Sequence, residues 1–182
     1  MPLAAQFRNI NNYVDKNIAP LSEEQLNWKP SLQTWSIAQC LEHLIVNNTN
    51  YFKSFDAIVN DAYRQTFWQR SSPFTNWFEK KLLEFTAPDP KTKVKAPSSF
   101  SPSKTFIDKN IVQRFLNQQE KLLQYFQKLE PLANSKKIIV SSPFSGLVTF
   151  KLDTLLLALV NHEQRHINQA DKVLHHPQFP KA

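Results

Sequence analysis

Apolar side chains recur every three or four residues along four long segments of this chain, the spacing that places them on one buried face of an α-helix. The four segments cover approximately residues 2–18, 34–63, 106–129 and 151–174. Connections rich in proline or polar residues separate them. The pattern predicts an all-α fold with four long helices, and a length of 182 residues suits one domain that spans residues 1–182.

Two Ser-x-x-Gln pairs have the spacing of a capping box, in which a serine and a glutamine satisfy backbone amides at the start of a helix. Ser22 and Gln25 predict one short helical turn after the first long helix. Ser36 and Gln39 predict the start of the second long helix.

The connection between the second and third long helices is long and is interrupted by prolines. Within residues 65–103 only residues 76–85 have a helical pattern. A crossover of this length lets the two helices run in the same direction instead of forming a tight hairpin. Pro131 is expected to end the third helix. Residues 137–140 and 147–150 flank a Ser-Ser-Pro-Phe-Ser-Gly turn and predict a small β-hairpin or an extended loop.

The composition excludes some classes of binding site. Gly146 is the only glycine beside twelve prolines, whereas phosphate-binding loops and dinucleotide fingerprints need several glycines. A P-loop and a dinucleotide fingerprint are therefore excluded. Cys40 is the only cysteine, so the chain forms no internal disulfide, which agrees with a reducing compartment.

The N-terminal residues contain no basic leader followed by an apolar stretch, so we expect no secretory signal. The longest apolar run, residues 155–160, is far shorter than the roughly 20 residues of a membrane span. These features predict a cytoplasmic protein without membrane association.

The chain carries a formal charge of +7, from 22 basic and 15 acidic residues. Such a surplus favours acidic partners, but nucleic-acid binding needs a basic stripe with interleaved aromatic residues. The densest basic group lies in a Pro/Ser-rich stretch and not on one helix face; it comprises Lys91, Lys93, Lys95, Lys104 and Lys109. Nucleic acid is therefore not the expected partner.

His162 and His166 lie four residues apart in the last helical segment, so both imidazoles project from one helix face. They share an apolar stripe with Leu155, Leu159, Ala170 and Val173. Burial of two polar rings without a common partner costs several kcal/mol. The pair therefore predicts a divalent-metal site in the protein interior.

The other three histidines differ in how well they suit a role as metal ligands. His43 lies one position from the apolar row of the second helix and alone is unremarkable. His175 and His176 follow the predicted end of the last helix, beside Pro177, and are interpreted as a solvated tail.

His162-Glu163-Gln164-Arg165-His166 also matches the H-E-x-x-H pattern of zinc metalloproteases, where the glutamate is the general base. The extended pattern requires glycine and histidine where this chain has Gln169 and Lys172. Glu163 lies about 100° around the helix from His162. We therefore expect Glu163 to leave the apolar face and to be a solvated or salt-bridged surface residue.

The chain resembles the DinB-like family of metalloenzymes over nearly its whole length. The resemblance is carried, in order and spacing, by LSEEQLNWKP at 21–30, WSI at 35–37, EHL at 42–44 and HEQRHINQ at 162–169. It implies a four-helix bundle with a long crossover between helices 2 and 3. It also implies that His43 on helix 2 and the pair His162 and His166 on helix 4 together bind zinc, nickel or a similar ion.

The resemblance further implies a metal-dependent enzyme that acts on a small molecule. Family members include thiol-dependent enzymes, so a transferase that uses a low-molecular-weight thiol is expected, or else a hydrolase. Two alternatives stay open: a non-catalytic metal-binding bundle in stress response or partner binding, and a metallohydrolase with Glu163 as base. A homodimer is compatible with each of these.

No catalytic acid or base can be matched to the family pattern. Cys40 lies three residues before His43, and a buried inert thiol is favoured over a reactive one. Asn47, four residues after His43, is either a polar lining group of the site or a structural asparagine.

Overall fold

The computed structural model of the chain describes residues 2–89, 106–135 and 137–181. This part of the chain is mostly helical and contains seven helices and one two-stranded sheet. In chain order the elements are α1 (Leu3–Asn17), α2 (Glu23–Asn27), α3 (Ile37–Val59), α4 (Phe67–Ser71), α5 (Thr75–Thr86), α6 (Asn110–Ser135), β1 (Ile139–Ser142), β2 (Ser145–Lys151) and α7 (Leu152–Leu174).

The four long helices, α1, α3, α6 and α7, correspond to the four segments with helical periodicity. Helix α3 packs against α6 and α7, and α1 packs against the same two helices. Their apolar faces form two clusters of buried side chains: one lies around Phe55, Phe126 and Leu155, and the other around Leu41, Phe115 and Ile167. Since α3 and α7 are in contact, residues of the second and fourth long helices can share one site.

Capping boxes begin three of the helices. The predicted boxes at Ser22 and at Ser36 are both present, with Gln25 and Gln39 as the reciprocal partners. A third box, formed by Thr66 and Gln69, begins α4 in a stretch for which the sequence predicted no helix. Helix α4 has only five residues, so its apolar pattern is too short to indicate a helix from periodicity.

Two predicted helix ends were wrong. Helix α6 does not end before Pro131 but continues to Ser135. Proline removes one backbone donor from a helix, and here Leu132 and Ala133 pack against the core and keep the last turn helical. Helix α3 ends at Val59, earlier than the predicted end near Tyr63, because Asp61 has a left-handed conformation with φ of 53°.

The predicted hairpin is present as an antiparallel pair of strands, β1 and β2, in which Val140 lies opposite Phe150. Strand β2 leads directly into α7. Helix α5 packs against both β2 and α7 and accounts for the predicted helix at 76–85.

Four lysines of the basic group lie outside the described residues: Lys91, Lys93, Lys95 and Lys104. Among the described helices, none combines the length and apolar character needed to cross a bilayer.

Candidate metal centre

Helix α7 presents His162 and His166 on its buried face, one turn apart. Both side chains are buried, as are the predicted neighbours on the same stripe, Leu155, Leu159, Ala170 and Val173. The prediction that both rings point into the protein is confirmed. Buried imidazoles on one face of a rigid helix have fixed positions relative to each other.

Helix α3 supplies the third imidazole. The Nε2 atom of His43 lies 3.2 Å from Nε2 of His162, and Nε2 of His166 lies 3.2 Å from the same atom. The ligand atoms of the three residues all lie within 4.8 Å of one another. The fold therefore brings together the three histidines predicted as one site. His43 and His162 are 119 residues apart in the sequence, and His162 and His166 are 4 residues apart.

The spacing of these nitrogens fits a shared ion. Ligand nitrogens at about 2.1 Å from a tetrahedral zinc ion are about 3.4 Å apart, close to the separations between the Nε2 atoms here. Pairwise hydrogen bonds fit less well, because each Nε2 carries either one proton or one lone pair. His162 Nε2 therefore cannot make two linear hydrogen bonds. The three imidazole nitrogens together form a group of donors that could hold a metal ion.

The environment of the two α7 imidazoles, His162 and His166, keeps them neutral, the form that binds a metal. Burial lowers the pKa of His162 well below 6.5, and the nearby His166, His43 and Arg165 lower it further. Burial is also the main cause that lowers the pKa of His166, to about 3. Both residues are therefore unprotonated at neutral pH without any bound ion.

Gln169 orients one of the three rings. Its side-chain Oε1 lies 3.1 Å from Nδ1 of His166. Because an amide oxygen only accepts, Nδ1 carries the proton of this imidazole and Nε2 keeps its lone pair. No role was predicted for Gln169 from the sequence, although its position three residues after His166 puts it within reach along the helix.

Trp35 covers the rings from the start of α3. Its ring centroid lies 5.0 Å from that of His43 and 5.5 Å from that of His166, and it is stacked on His166 at 16° between the planes. The indole is half-buried and directly precedes Ser36, the residue that caps α3. The capping box thus fixes the backbone that holds Trp35 over two of the three imidazoles.

Glu163 is not a surface residue, and this prediction was wrong. Its side chain is fully buried, and its Oε1 accepts hydrogen bonds from Asn48 Nδ2 at 2.6 Å and Gln119 Nε2 at 2.9 Å. Burial raises the pKa of this carboxyl to about 7 despite those two donors. The turn of about 100° from His162 points Glu163 between α3 and α6, because α7 is covered on more than one side.

The remaining predicted residues lie outside the cluster of imidazoles. Cys40 is fully buried, and burial raises the pKa of its thiol to about 12, which agrees with an inert side chain. Asn47 is half-buried, and its amide lies 3.5 Å from Asn48 Oδ1. His175 is exposed and pairs with Asp171, as expected of a solvated tail. His176 instead packs on Trp28.

The chain is similar to a known protein family over most of its length. The family model described as "DinB superfamily" matches residues 6–170. A relative in Bacillus subtilis (strain 168), called "Uncharacterized protein YuaE", is 29% identical over 154 residues, which cover 84% of this chain and 85% of that protein. No solved structure matches the chain significantly.

Proposed function

The chain belongs to the DinB superfamily, and we propose that it is a metal-dependent enzyme whose ion is bound by His43, His162 and His166. One observation carries the proposal: three buried imidazoles from α3 and α7 converge through their Nε2 atoms. We further infer that α1, α3, α6 and α7 form the four-helix bundle of the family, with the long crossover between α3 and α6.

Zinc or nickel is the ion that this site suits best. All-imidazole ligation favours late first-row ions over magnesium and calcium, which prefer oxygen ligands. Three protein ligands leave a coordination position open, as in catalytic zinc sites, whereas structural sites close with four. A bound ion of this kind supplies Lewis acidity, which polarises a substrate group or lowers the pKa of a coordinated water or thiol.

The surrounding residues prepare the site for such chemistry. Gln169 holds the tautomer of His166 that keeps the lone pair on Nε2, and Trp35 stacks on the ring of His166 and packs against that of His43. The reaction we propose is group transfer to or from a small molecule, with a low-molecular-weight thiol as cosubstrate; hydrolysis is the alternative reaction. Glu163 is not assigned as base, because Asn48 and Gln119 hold its carboxylate.

A second candidate function is a non-catalytic module in which the ion joins α3 to α7. The observation that favours it is the burial of the cluster: its three histidines are only 4% to 6% exposed. A structural ion needs no access, whereas a substrate does. This reading predicts that loss of a ligand mainly destabilises the fold.

The experiment combines metal analysis with a turnover screen. Purified protein reconstituted with zinc or nickel is expected to hold about one equivalent of ion and to turn over a substrate in a screen of thiol cosubstrates and small electrophiles. His166→Ala should abolish turnover in a protein that still folds, and His175→Ala, a change of an exposed histidine, should leave it unchanged. Failure of the unmodified protein to bind either ion contradicts the proposed site.

A further inference from the structure

An apolar groove of about 400 Å³ lies between helix α5 and strand β2. Five apolar side chains line it: Phe78, Leu82 and Phe85 from α5, and Val148 and Phe150 from β2. Phe85 is 37% exposed, and Phe78, Leu82 and Val148 are half-buried. The volume is within the range of small-molecule sites, which are mostly apolar and carry a few placed polar groups.

The charged residues that line this groove cancel each other. Lys81 Nζ lies 2.8 Å from Glu84 Oε2, so these two residues form an ion pair with no net charge. Any charge preference of the groove must therefore come from a neighbouring residue. Arg165 of α7 is a neighbouring cation that contacts the groove residue Phe85.

Arg165 meets the groove at Phe85. Its guanidinium carbon lies 6.0 Å from the centroid of the Phe85 ring, and one terminal nitrogen donates to the Phe85 carbonyl oxygen at 2.6 Å. Within the described ranges of the chain, Arg165 forms no ion pair with a carboxylate. A half-buried guanidinium without an anionic partner retains donors with the fork geometry that matches a carboxylate.

We propose that this groove binds a small amphipathic carboxylate, with the apolar chain along Phe78, Leu82 and Val148 and the carboxylate on Arg165. Charge complementarity selects the anion, and the apolar lining selects the chain. The ligand end at Arg165 lies next to α7, the helix of the candidate metal centre. The groove is nevertheless distinct from the cluster of imidazoles, and its binding does not depend on the proposed metal.

A purely structural role for Arg165 makes a different prediction. The Phe85 carbonyl lies in the last turn of α5, where basic side chains commonly cap free carbonyl groups. If Arg165 only caps α5, its loss lowers the stability of the protein. The ratio between the affinity for a carboxylate and the affinity for an uncharged analogue then stays the same.

The test is an amide NMR titration of the full chain, freed of metal by chelation, with octanoate and with 1-octanol. We expect octanoate to shift the amide signals of Leu82, Phe85 and Val148 saturably and to bind more tightly than 1-octanol. Arg165→Gln should weaken octanoate binding about tenfold or more while changing the affinity for 1-octanol by less than about twofold. Arg114→Gln, which removes an exposed arginine of α6, is the matched control.

Two results overturn the proposal. One is the absence of saturable octanoate shifts at the groove of the unmodified protein. The other is an Arg165→Gln protein that binds octanoate as tightly as the unmodified protein. If Arg165→Gln loses its native spectrum, the salt dependence of binding to the unmodified protein replaces the variant as the test. Raised salt must then weaken octanoate binding and leave 1-octanol binding unchanged. The same salt dependence for both ligands contradicts the role of the guanidinium.

Discussion

Gln169 acts on the cluster of imidazoles through a single contact, the one between its Oε1 and His166 Nδ1. Gln169→Leu removes the acceptor and leaves His166 free to place its proton on Nε2, the atom that we propose binds the metal. We expect zinc affinity to fall about 10- to 100-fold, the usual effect of losing such a partner. Competition with a chromophoric chelator measures the change.

Gln164→Leu provides the comparison on the same helix. Gln164 is half-buried like Gln169, but its amide bonds to Asn168 and not to a histidine. Its replacement should leave zinc affinity nearly unchanged. Equal losses in the two variants would show that Gln169 contributes through helix stability and not through the tautomer of His166.

The carboxyl group of Glu163 makes the stability of the metal-free protein depend on pH. Its pKa is raised to about 7 from an ordinary value of 4.5, so the native state holds this proton more tightly than the unfolded chain. The stabilisation of the native state by this bound proton is present in full below pH 4.5 and is lost as pH rises through 7. Glutamine does not titrate. As pH rises from 4 to 8, we therefore expect the unfolding free energy of Glu163→Gln to increase by up to about 3 kcal/mol relative to that of the unmodified protein.

Urea unfolding of both proteins across this pH range measures the difference. His162 and His166 also titrate, but they are present in both proteins, and their effects cancel in the comparison. A difference that stays constant with pH would mean that Glu163 titrates at its ordinary pKa and is solvated.

At the scale of the elements, the start of α3 depends on one hydroxyl group. Ser36 Oγ accepts from the Gln39 backbone amide at 3.2 Å, and Gln39 Oε1 accepts from the Ser36 amide at 3.1 Å. Ser36→Ala should lower the unfolding free energy by about 1 kcal/mol, whereas Ser36→Gly should cost only a few tenths. Chemical denaturation of both variants tests this; a glycine variant as unstable as the alanine variant would point to lost packing instead.

Local patterns account for the parts of the fold that the sequence predicted. Capping boxes at Ser22 and Ser36 and the apolar stripe around His162 and His166 are encoded within a few residues, and each was found where expected. The end of α6 was missed because the packing of Leu132 on the rest of the protein compensates for Pro131. That compensation depends on residues distant in sequence, which periodicity does not reveal.

The burial of Glu163 was missed for a related reason. An amphipathic pattern assigns one buried face to a helix, but α7 packs against α1, α3, α5 and α6 and is buried on more than that face. The donors that satisfy Glu163 are Asn48, on α3, and Gln119, on α6. Polar residues that bury one another look like surface residues in a sequence, whereas the histidines were recognisable because two of them share a helix turn.

At the scale of the whole molecule, the candidate metal centre connects α3 and α7, which carry residues of both core clusters. An ion bound by all three histidines contacts the native state only, because the unfolded chain does not hold His43 beside His162. Binding should therefore stabilise the whole fold by mass action. At free zinc of about 100 times the dissociation constant, the unfolding free energy should rise by about 2.7 kcal/mol.

His43→Ala distinguishes a three-histidine centre from a site made by one helix alone. The variant keeps His162 and His166, whose spacing of four residues can bind zinc weakly wherever α7 is helical. If the ion joins α3 to α7, stabilisation by the same zinc concentration should fall to a small fraction of that in the unmodified protein. Thermal unfolding in zinc buffers measures both proteins, and His175→Ala should match the unmodified protein. A full zinc response in His43→Ala would show that α7 alone binds the ion and that His43 is a core histidine.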